Sequence, residues 1–219
     1  MKRILITGAN RGIGLEMSRQ LSERGDEVIA VCRQSSTELK QLNVRTIDNV
    51  DVSDEGSIRL LQSALGSEPL NWLINNAGIL SSESLDDLDF DAIERQFRVN
   101  SLGPLRVTAA LSNNLREGSS VGIITSRMGS IEDNTSGSYY GYRMSKAAVN
   151  MAGMSLARDL KPRQVAVALL HPGMVATDMT GNRGVTTEHA ARGLIERMDE
   201  LHMGNSGSFW HAEGERLPW

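Results

Sequence analysis

Arg3-Ile4-Leu5-Ile6-Thr7-Gly8-Ala9-Asn10-Arg11-Gly12-Ile13-Gly14 decides the fold of this chain. Arg3–Thr7 is a short apolar run and reads as a buried strand. The amphipathic stretch that opens at Gly12 reads as a helix to Arg24. Between them the glycines follow a Gly-x-x-x-Gly-x-Gly spacing. Glycine permits a tight turn and lets the backbone come close to a pyrophosphate. The helix that follows points free N–H groups and a positive dipole end at the same place. A Gly-rich turn without a ligand would share these letters. The strand before and the helix after favour a dinucleotide site instead.

The same alternation continues along the chain. Strands are expected at Arg3–Thr7, Glu27–Cys32, Val44–Val50, Asn71–Asn75, Val121–Thr125, Val165–Leu170 and Gly207–Trp210. Helices are expected at Gly12–Arg24, Ser53–Leu65, Phe90–Leu115, Tyr140–Leu160 and Glu188–Leu201. This order predicts an α/β fold, a doubly wound parallel sheet of Rossmann type with helices on both faces. No composition shift marks a linker, so residues 1–219 read as one domain. Ser81–Asp89 reads as an acidic loop and Thr180–Thr187 as a mobile polar one.

Composition narrows the function classes. The net charge is −4 and no basic block occurs, so neither nucleic acid nor an anionic membrane is an expected partner. The apolar run after Met1-Lys2-Arg3 ends at Thr7-Gly8, too short for a signal peptide. No run is long enough to span a membrane. The single cysteine, Cys32, cannot form an internal disulfide and suits a reducing compartment. The expectation is a soluble cytoplasmic protein. His171, His189, His202 and His211 show no metal-ligand spacing, and no metal is expected.

The end of the second strand carries the cofactor choice. An acid there would accept from the ribose 2′-hydroxyl of NAD. This chain has Cys32-Arg33-Gln34, with no acid before Glu38, and Arg11 inside the glycine loop. Each arginine alone could be a solvated surface charge. Together they suit a 2′-phosphate and favour NADP(H) over NAD(H). Cys32 reads as a small buried strand residue.

Tyr142-Arg143-Met144-Ser145-Lys146 places a phenol and an ammonium four positions apart, on one face of a helix. The cation should favour the phenolate and bring the tyrosine down from about 10 toward working pH. Such a phenol can exchange a proton with a carbonyl or alcohol. Tyr139 and Tyr140 have no lysine at that spacing and read as pocket wall or packing.

These motifs, in this order, resemble the short-chain dehydrogenase/reductase family over nearly the whole chain. The resemblance rests on the glycine loop, Asn75-Asn76-Ala77-Gly78, Asn100 within Val99-Asn100-Ser101-Leu102-Gly103, Ser126, Tyr142 with Lys146, and His171-Pro172-Gly173-Met174-Val175-Ala176-Thr177. Ile124–Ser130, Tyr142–Ala148 and the terminal Leu217-Pro218-Trp219 look like the C-factor and sniffer-type carbonyl reductase branch. Ser126 and Tyr142 are 16 positions apart, slightly more than usual, with Ile131–Ser138 as the added loop. The stretch after Thr177 is short, which implies a small lid.

The resemblance implies NADP(H)-dependent hydride transfer to or from a small carbonyl or alcohol substrate. It implies Tyr142 as acid and base, and Lys146 as its partner and a ribose ligand. Ser126 would polarise the carbonyl, and Asn100 would hold a water that links Lys146 to solvent. Gly8, Asn10, Arg11, Gly12, Ile13, Gly14, Arg33, Asp51, Val52, Asn76, Ala77 and Gly78 would line the adenine and phosphate side. Pro172, Gly173, Val175 and Thr177 would line the nicotinamide side. A homodimer or homotetramer is implied, with Met144, Ala148, Met151 and Met154 as a candidate seam. A second reading is a C-factor-like signalling protein with secondary or no turnover. The intact Asn100, Ser126, Tyr142 and Lys146 favour the enzyme.

Overall fold

The computed structural model describes residues 1–219. Seven strands form one parallel sheet: β1 Arg3–Thr7, β2 Glu27–Val31, β3 Arg45–Ile47, β4 Leu70–Asn75, β5 Leu115–Ile124, β6 Ala166–His171 and β7 Ser208–His211. Their order is β3-β2-β1-β4-β5-β6-β7. The chain winds outward from β1 in one direction and from β4 in the other. The reversal opens a crevice beyond the carboxyl ends of β1 and β4, where such sheets bind ligands.

Seven α-helices cover the faces: α1 Gly12–Glu23, α2 Thr37–Gln41, α3 Glu55–Leu65, α4 Phe90–Phe97, α5 Gly103–Ala110, α6 Tyr140–Asp159 and α7 Thr187–Asp199. α1 packs against α7; α3 packs against α5, which with α4 packs along α6. Strand side chains alternate between the two layers. Leu5, Leu73, Val121 and Val167 enter one core. Ile4, Ile6, Trp72 and Ala168 enter the other. Burial on both faces explains why these strands read as unbroken apolar runs.

Three elements depart from expectation. The helix expected over Phe90–Leu115 is broken: α4 gives way to a π turn at Arg98–Leu102, then α5, then a 3₁₀ turn at Ser112–Asn114. Pro104 in the first turn of α5 has no N–H to donate, and its ring crowds the carbonyl four residues back, which favours the wider π turn. β5 begins at Leu115 rather than Val121. Gly118 has φ of +82° there, and the register with β4 shifts between Leu70 and Trp72, so a bulge hides the strand's polar first half. α2 went unforeseen because it is one short turn, capped by Ser36 Oγ accepting from Leu39 N–H at 3.1 Å.

Candidate active site

The loop after β1 and the loop after β4 fit together at the crevice. Gly8 has φ of +66°, and a Cβ on it would lie 2.8 Å from Ala77 Cα. A Cβ on Gly14 would collide with the Gly8 carbonyl. Asn76 Nδ2 donates to Thr7 O at 3.0 Å and Gly8 O at 3.1 Å. The Thr7 hydroxyl accepts from the N–H groups of Asn76 and Ala77 at 3.1 and 3.2 Å. α1 starts at Gly12 with no side-chain cap and no acid in its first turn. Its leading N–H groups stand free for an anion.

A groove of about 470 Å³ runs past this cradle. Gly8, Asn10, Arg11, Gly12 and Ile13 line it, as do Arg33, Asp51, Val52, Asn76, Ala77 and Gly78. Tyr142, Lys146, Pro172 and Thr177 line its other end. Four expected cofactor or catalytic positions lie just behind the wall, and one beside it. Gly14 supports the loop from beneath. Val175 is buried and bridges to Val185. Gly173 faces His211. Asn100 and Ser126 are buried behind the Tyr142 end. Asp51 lines the groove while its Oδ1 accepts from Ser53 N–H and Oγ at 2.8 and 2.7 Å, so it also shapes the turn before α3.

The two arginines differ in what holds them. Arg33 is exposed and makes no ion pair. Arg11 reaches across the groove to Asp178 at 3.2 Å. Cys32 is buried, its Sγ 3.2 Å from Asp48 Oδ1, and burial lifts the thiol to about 11. The segment after Thr177 is a compact turn: Thr180 Oγ1 donates to Val175 O at 2.6 Å, and Val175 pairs with Val185.

At the far end, Tyr142 and Lys146 stand on adjacent turns of α6, at 8% and 4% exposure. Lys146 Nζ lies 5.6 Å from the centre of the tyrosine ring and donates to Ile124 O at 2.9 Å. The expected fall in the tyrosine's pKa does not occur. Burial pushes Tyr142 up to about 12, and the adjacent Ser126 hydroxyl offsets only part of the rise. Burial also lowers Lys146 to about 8. In so dry a place the desolvation of both charged forms outweighs their mutual attraction.

Tethers place α6 against the sheet. A Cβ on Gly129 would lie 2.6 Å from the Lys146 carbonyl carbon, so the turn carrying Ser126 sits directly on α6. Asn150 Oδ1 accepts from Thr125 Oγ1 at 2.7 Å. Asn100 Nδ2 donates to Ile79 O at 2.9 Å and to Ser145 Oγ at 3.0 Å, and its Oδ1 accepts from Ile79 N–H at 2.8 Å. Both amide hydrogens of Asn100 are therefore used. Its oxygen keeps one lone pair, beside the space a Gly78 side chain would fill: a Cβ there would be 3.3 Å from Asn100 Oδ1 and 3.7 Å from Lys146 Nζ.

The sequence reading missed several supports. Thr7 ends β1 and Thr125 directly follows β5, and both read as ordinary boundary residues. Asn150 was findable, since it follows Lys146 by four positions and shares its helix face. Trp219 O accepts from Ser130 Oγ at 3.1 Å and Glu132 N–H at 3.0 Å, fastening the loop after Ser126. Of the methionines, Met144 and Met151 face outward, while Met154 packs inward against Leu169 and Phe209.

The chain matches known proteins over most or all of its length. The family model for short chain dehydrogenase matches residues 2–188. A 1-hydroxy-2-glutathionyl-2-methyl-3-butene dehydrogenase of Rhodococcus sp. (strain AD45) is 43% identical over 226 aligned positions, covering 100% of both chains. C-signal of Myxococcus xanthus is 44% identical over 155 positions, 69% of this chain and 93% of that protein. The NADPH-bound carbonyl reductase from chicken fatty liver superposes with a TM-score of 0.92 at 28% identity, covering 100% of this chain and 99% of that one.

Proposed function

The chain belongs to the short-chain dehydrogenase family and is an oxidoreductase, and we propose that it is an NADP(H)-dependent carbonyl reductase with Tyr142 as general acid and base. One observation carries the reading: Tyr142 and Lys146 are buried on one face of α6, at the end of a glycine-cradled groove, with Ser126 beside the phenol. The cradle fits a dinucleotide, because Gly8 and Gly14 let the loops after β1 and β4 close on each other and the start of α1 is uncapped. Gly8, Asn10, Gly12 and Ile13 would hold the pyrophosphate, Asp51 and Val52 the adenine, and Lys146 the nicotinamide ribose. NADP(H) supplies the hydride when bound.

Tyr142 meets the substrate protonated, since burial holds its pKa near 12. It gives that proton to the carbonyl oxygen as negative charge develops there. The Ser126 hydroxyl donates to the same oxygen, an oxyanion-hole contribution. Lys146, at about 8, is charged near neutral pH yet can release a proton readily. A water in the space beside Gly78, between Asn100 Oδ1 and Lys146 Nζ, would return the spent proton from solvent.

The 219 residues act as one unit, in a reducing compartment. Exposed Met144 and Met151 on α6 mark the face through which two copies would pair. The substrate is a small aldehyde, ketone or alcohol. A thioether adduct of glutathione belongs in the test panel, because the Rhodococcus relative's name specifies such a compound.

The test is NADPH consumption by wild-type protein across aldehydes, diketones and glutathionyl alcohols, the last with NADP⁺. Turnover abolished in Tyr142→Phe is the expected result. Tight NADPH binding with no turnover of any compound would replace this reading with the C-signal-like one.

A further inference from the structure

Helix α6 starts without a cap of its own. Its N-cap residue, Tyr139, makes no side-chain cap bond, and its first turn contains no acid. The chain enters through Ser138 and Tyr139 at φ of +53° and +54°, an uncommon conformation for residues with side chains. What meets this helix end is Glu83, from the loop between β4 and α4. Glu83 is 4% exposed.

Its Oε2 accepts from Gly141 N–H at 3.1 Å. Its Oε1 accepts from Ser81 Oγ at 2.6 Å and Gln96 Nε2 at 2.8 Å. Its main-chain oxygen accepts from Tyr139 N–H at 2.8 Å, which holds the unusual entry in place. Gln96 is itself fixed, its Oε1 accepting from Ser81 N–H at 3.0 Å. A side chain on Gly141 would strike Gln96 and come within 3.0 Å of Ile93 Cα. The glycine between Tyr140 and Tyr142 is what lets α4 bring Gln96 this close.

Charge and geometry agree. A buried carboxylate has only neutral donors around it, and it sits at the positive end of a 20-residue helix. The other tethers described above, at Ser145, Lys146 and Asn150, hold α6 beyond Tyr142. The Glu83 cluster ties the turn ahead of it to α4, while Arg143 donates back to Gly137 O, Ser138 O and Ser136 Oγ of the entering segment.

We infer that Glu83 is a positioning residue for the reaction, fixing the first turn of α6 and with it the Tyr142 phenol. This rests on Tyr142 being the acid. It predicts a separation that general destabilisation would not produce: Tyr142 loosens while Lys146 and the cofactor groove stay fixed.

The experiment compares Glu83→Ala and Glu83→Gln with wild type in the full chain. Amide hydrogen exchange at Gly141–Arg143 should quicken roughly tenfold or more in Glu83→Ala, with residues 146–150 unchanged. In the same variant kcat should fall roughly tenfold to a hundredfold, with the NADPH dissociation constant within about twofold of wild type. Glu83→Gln keeps an acceptor for Gly141 and should restore most of both. Exchange rising evenly along α6, cofactor affinity falling in step with kcat, or an unaltered first turn in Glu83→Ala would overturn the inference. If wild type turned over no carbonyl compound, the reading of function would fail while the exchange pattern still decided the role of Glu83.

Discussion

At the β5–α6 end of the groove, Ser126, Tyr142 and Lys146 are buried and held by Gly129, Ser145 and Asn150. At the β2 end, Arg33 stands in solvent and Arg11 holds only Asp178, with side chains 63% and 77% exposed. Both ends have charged or ionisable groups near the groove, yet the physics that governs them differs. Where water is excluded, desolvation sets the pKa values and one lost atom has a large effect. Where water is present, screening leaves each contact weak and dependent on salt. Mutations at the buried end should therefore change the chemistry, and mutations at the exposed end should change the choice of cofactor.

The largest effect is expected from Tyr142→Phe. Removing one buried hydroxyl deletes the proton donor and leaves the fold's packing almost intact. kcat should drop by at least ~10²–10⁴, the usual span of general acid catalysis, with NADPH affinity near wild type. A variant that kept most of its kcat, measured by NADPH consumption, would make the two ends alike and move attention to Tyr139 or Tyr140.

Lys146→Met should lower kcat and cofactor affinity together, because one side chain serves both. It also offers a readout without substrate. Lys146 sits near 8 when folded, below its ordinary ~10.4, so the unfolded chain binds that proton more tightly. Stability linked to this group should rise as pH climbs from about 8 to about 10.5. Tyr142, raised to about 12, has the opposite sign: stability is lost as pH rises from about 10 through 12. Between pH 7.5 and 10, wild type should gain on the order of 1–3 kcal/mol relative to Lys146→Met in chemical denaturation. A difference that stays flat with pH would mean that Lys146 is not desolvated.

Ser126→Ala should reduce kcat roughly tenfold to a hundredfold, since a hydroxyl at the developing oxyanion is lost. Ser126 Oγ also accepts from Met128 N–H at 3.1 Å, so a stability loss of about 1 kcal/mol should accompany it. Normal kcat with a large fall in melting temperature would reduce Ser126 to a turn residue.

The contrast between the ends also marks what a sequence can disclose. Strand positions and the glycine loop were legible because parallel strands buried on both faces and a loop lined by backbone leave few alternatives at Ile4, Gly8 or Gly14. Tyr142 and Lys146 were legible as a spacing, and their pKa values were not. The sign of the Tyr142 shift depends on how much water reaches it, and that depends on Ile124 and Gly129 arriving from other elements. Glu83 falls in a stretch that reads as an acidic loop for the same reason. Nothing local shows that Gln96 and Gly141 close over it. Pro104 is visible in the letters, but the apolar periodicity continues on either side of it and does not show where the π turn falls.

The smallest effects, and the ones most sensitive to conditions, belong to the exposed arginines. Arg33 follows β2 where an acid would select NAD, and it has no partner to leave before meeting a phosphate. A charge-assisted contact is strong when dry, but at this exposure each arginine should contribute roughly three- to tenfold in affinity for NADPH. Arg33→Asp should remove that preference and shift kcat/KM toward NADH, because the carboxylate repels a 2′-phosphate and accepts from a ribose hydroxyl. Arg11 behaves differently, since the same guanidinium is claimed by Asp178 across the groove at 3.2 Å. Asp178→Asn should release it and tighten NADPH by about twofold without altering NADH, an effect that shrinks as salt is added. Measured kcat/KM values for both cofactors at low and high salt test the pair together. Equal values for NADPH and NADH in wild type at low salt would return both arginines to surface charge, and the contrast between the two ends would then hold for chemistry alone.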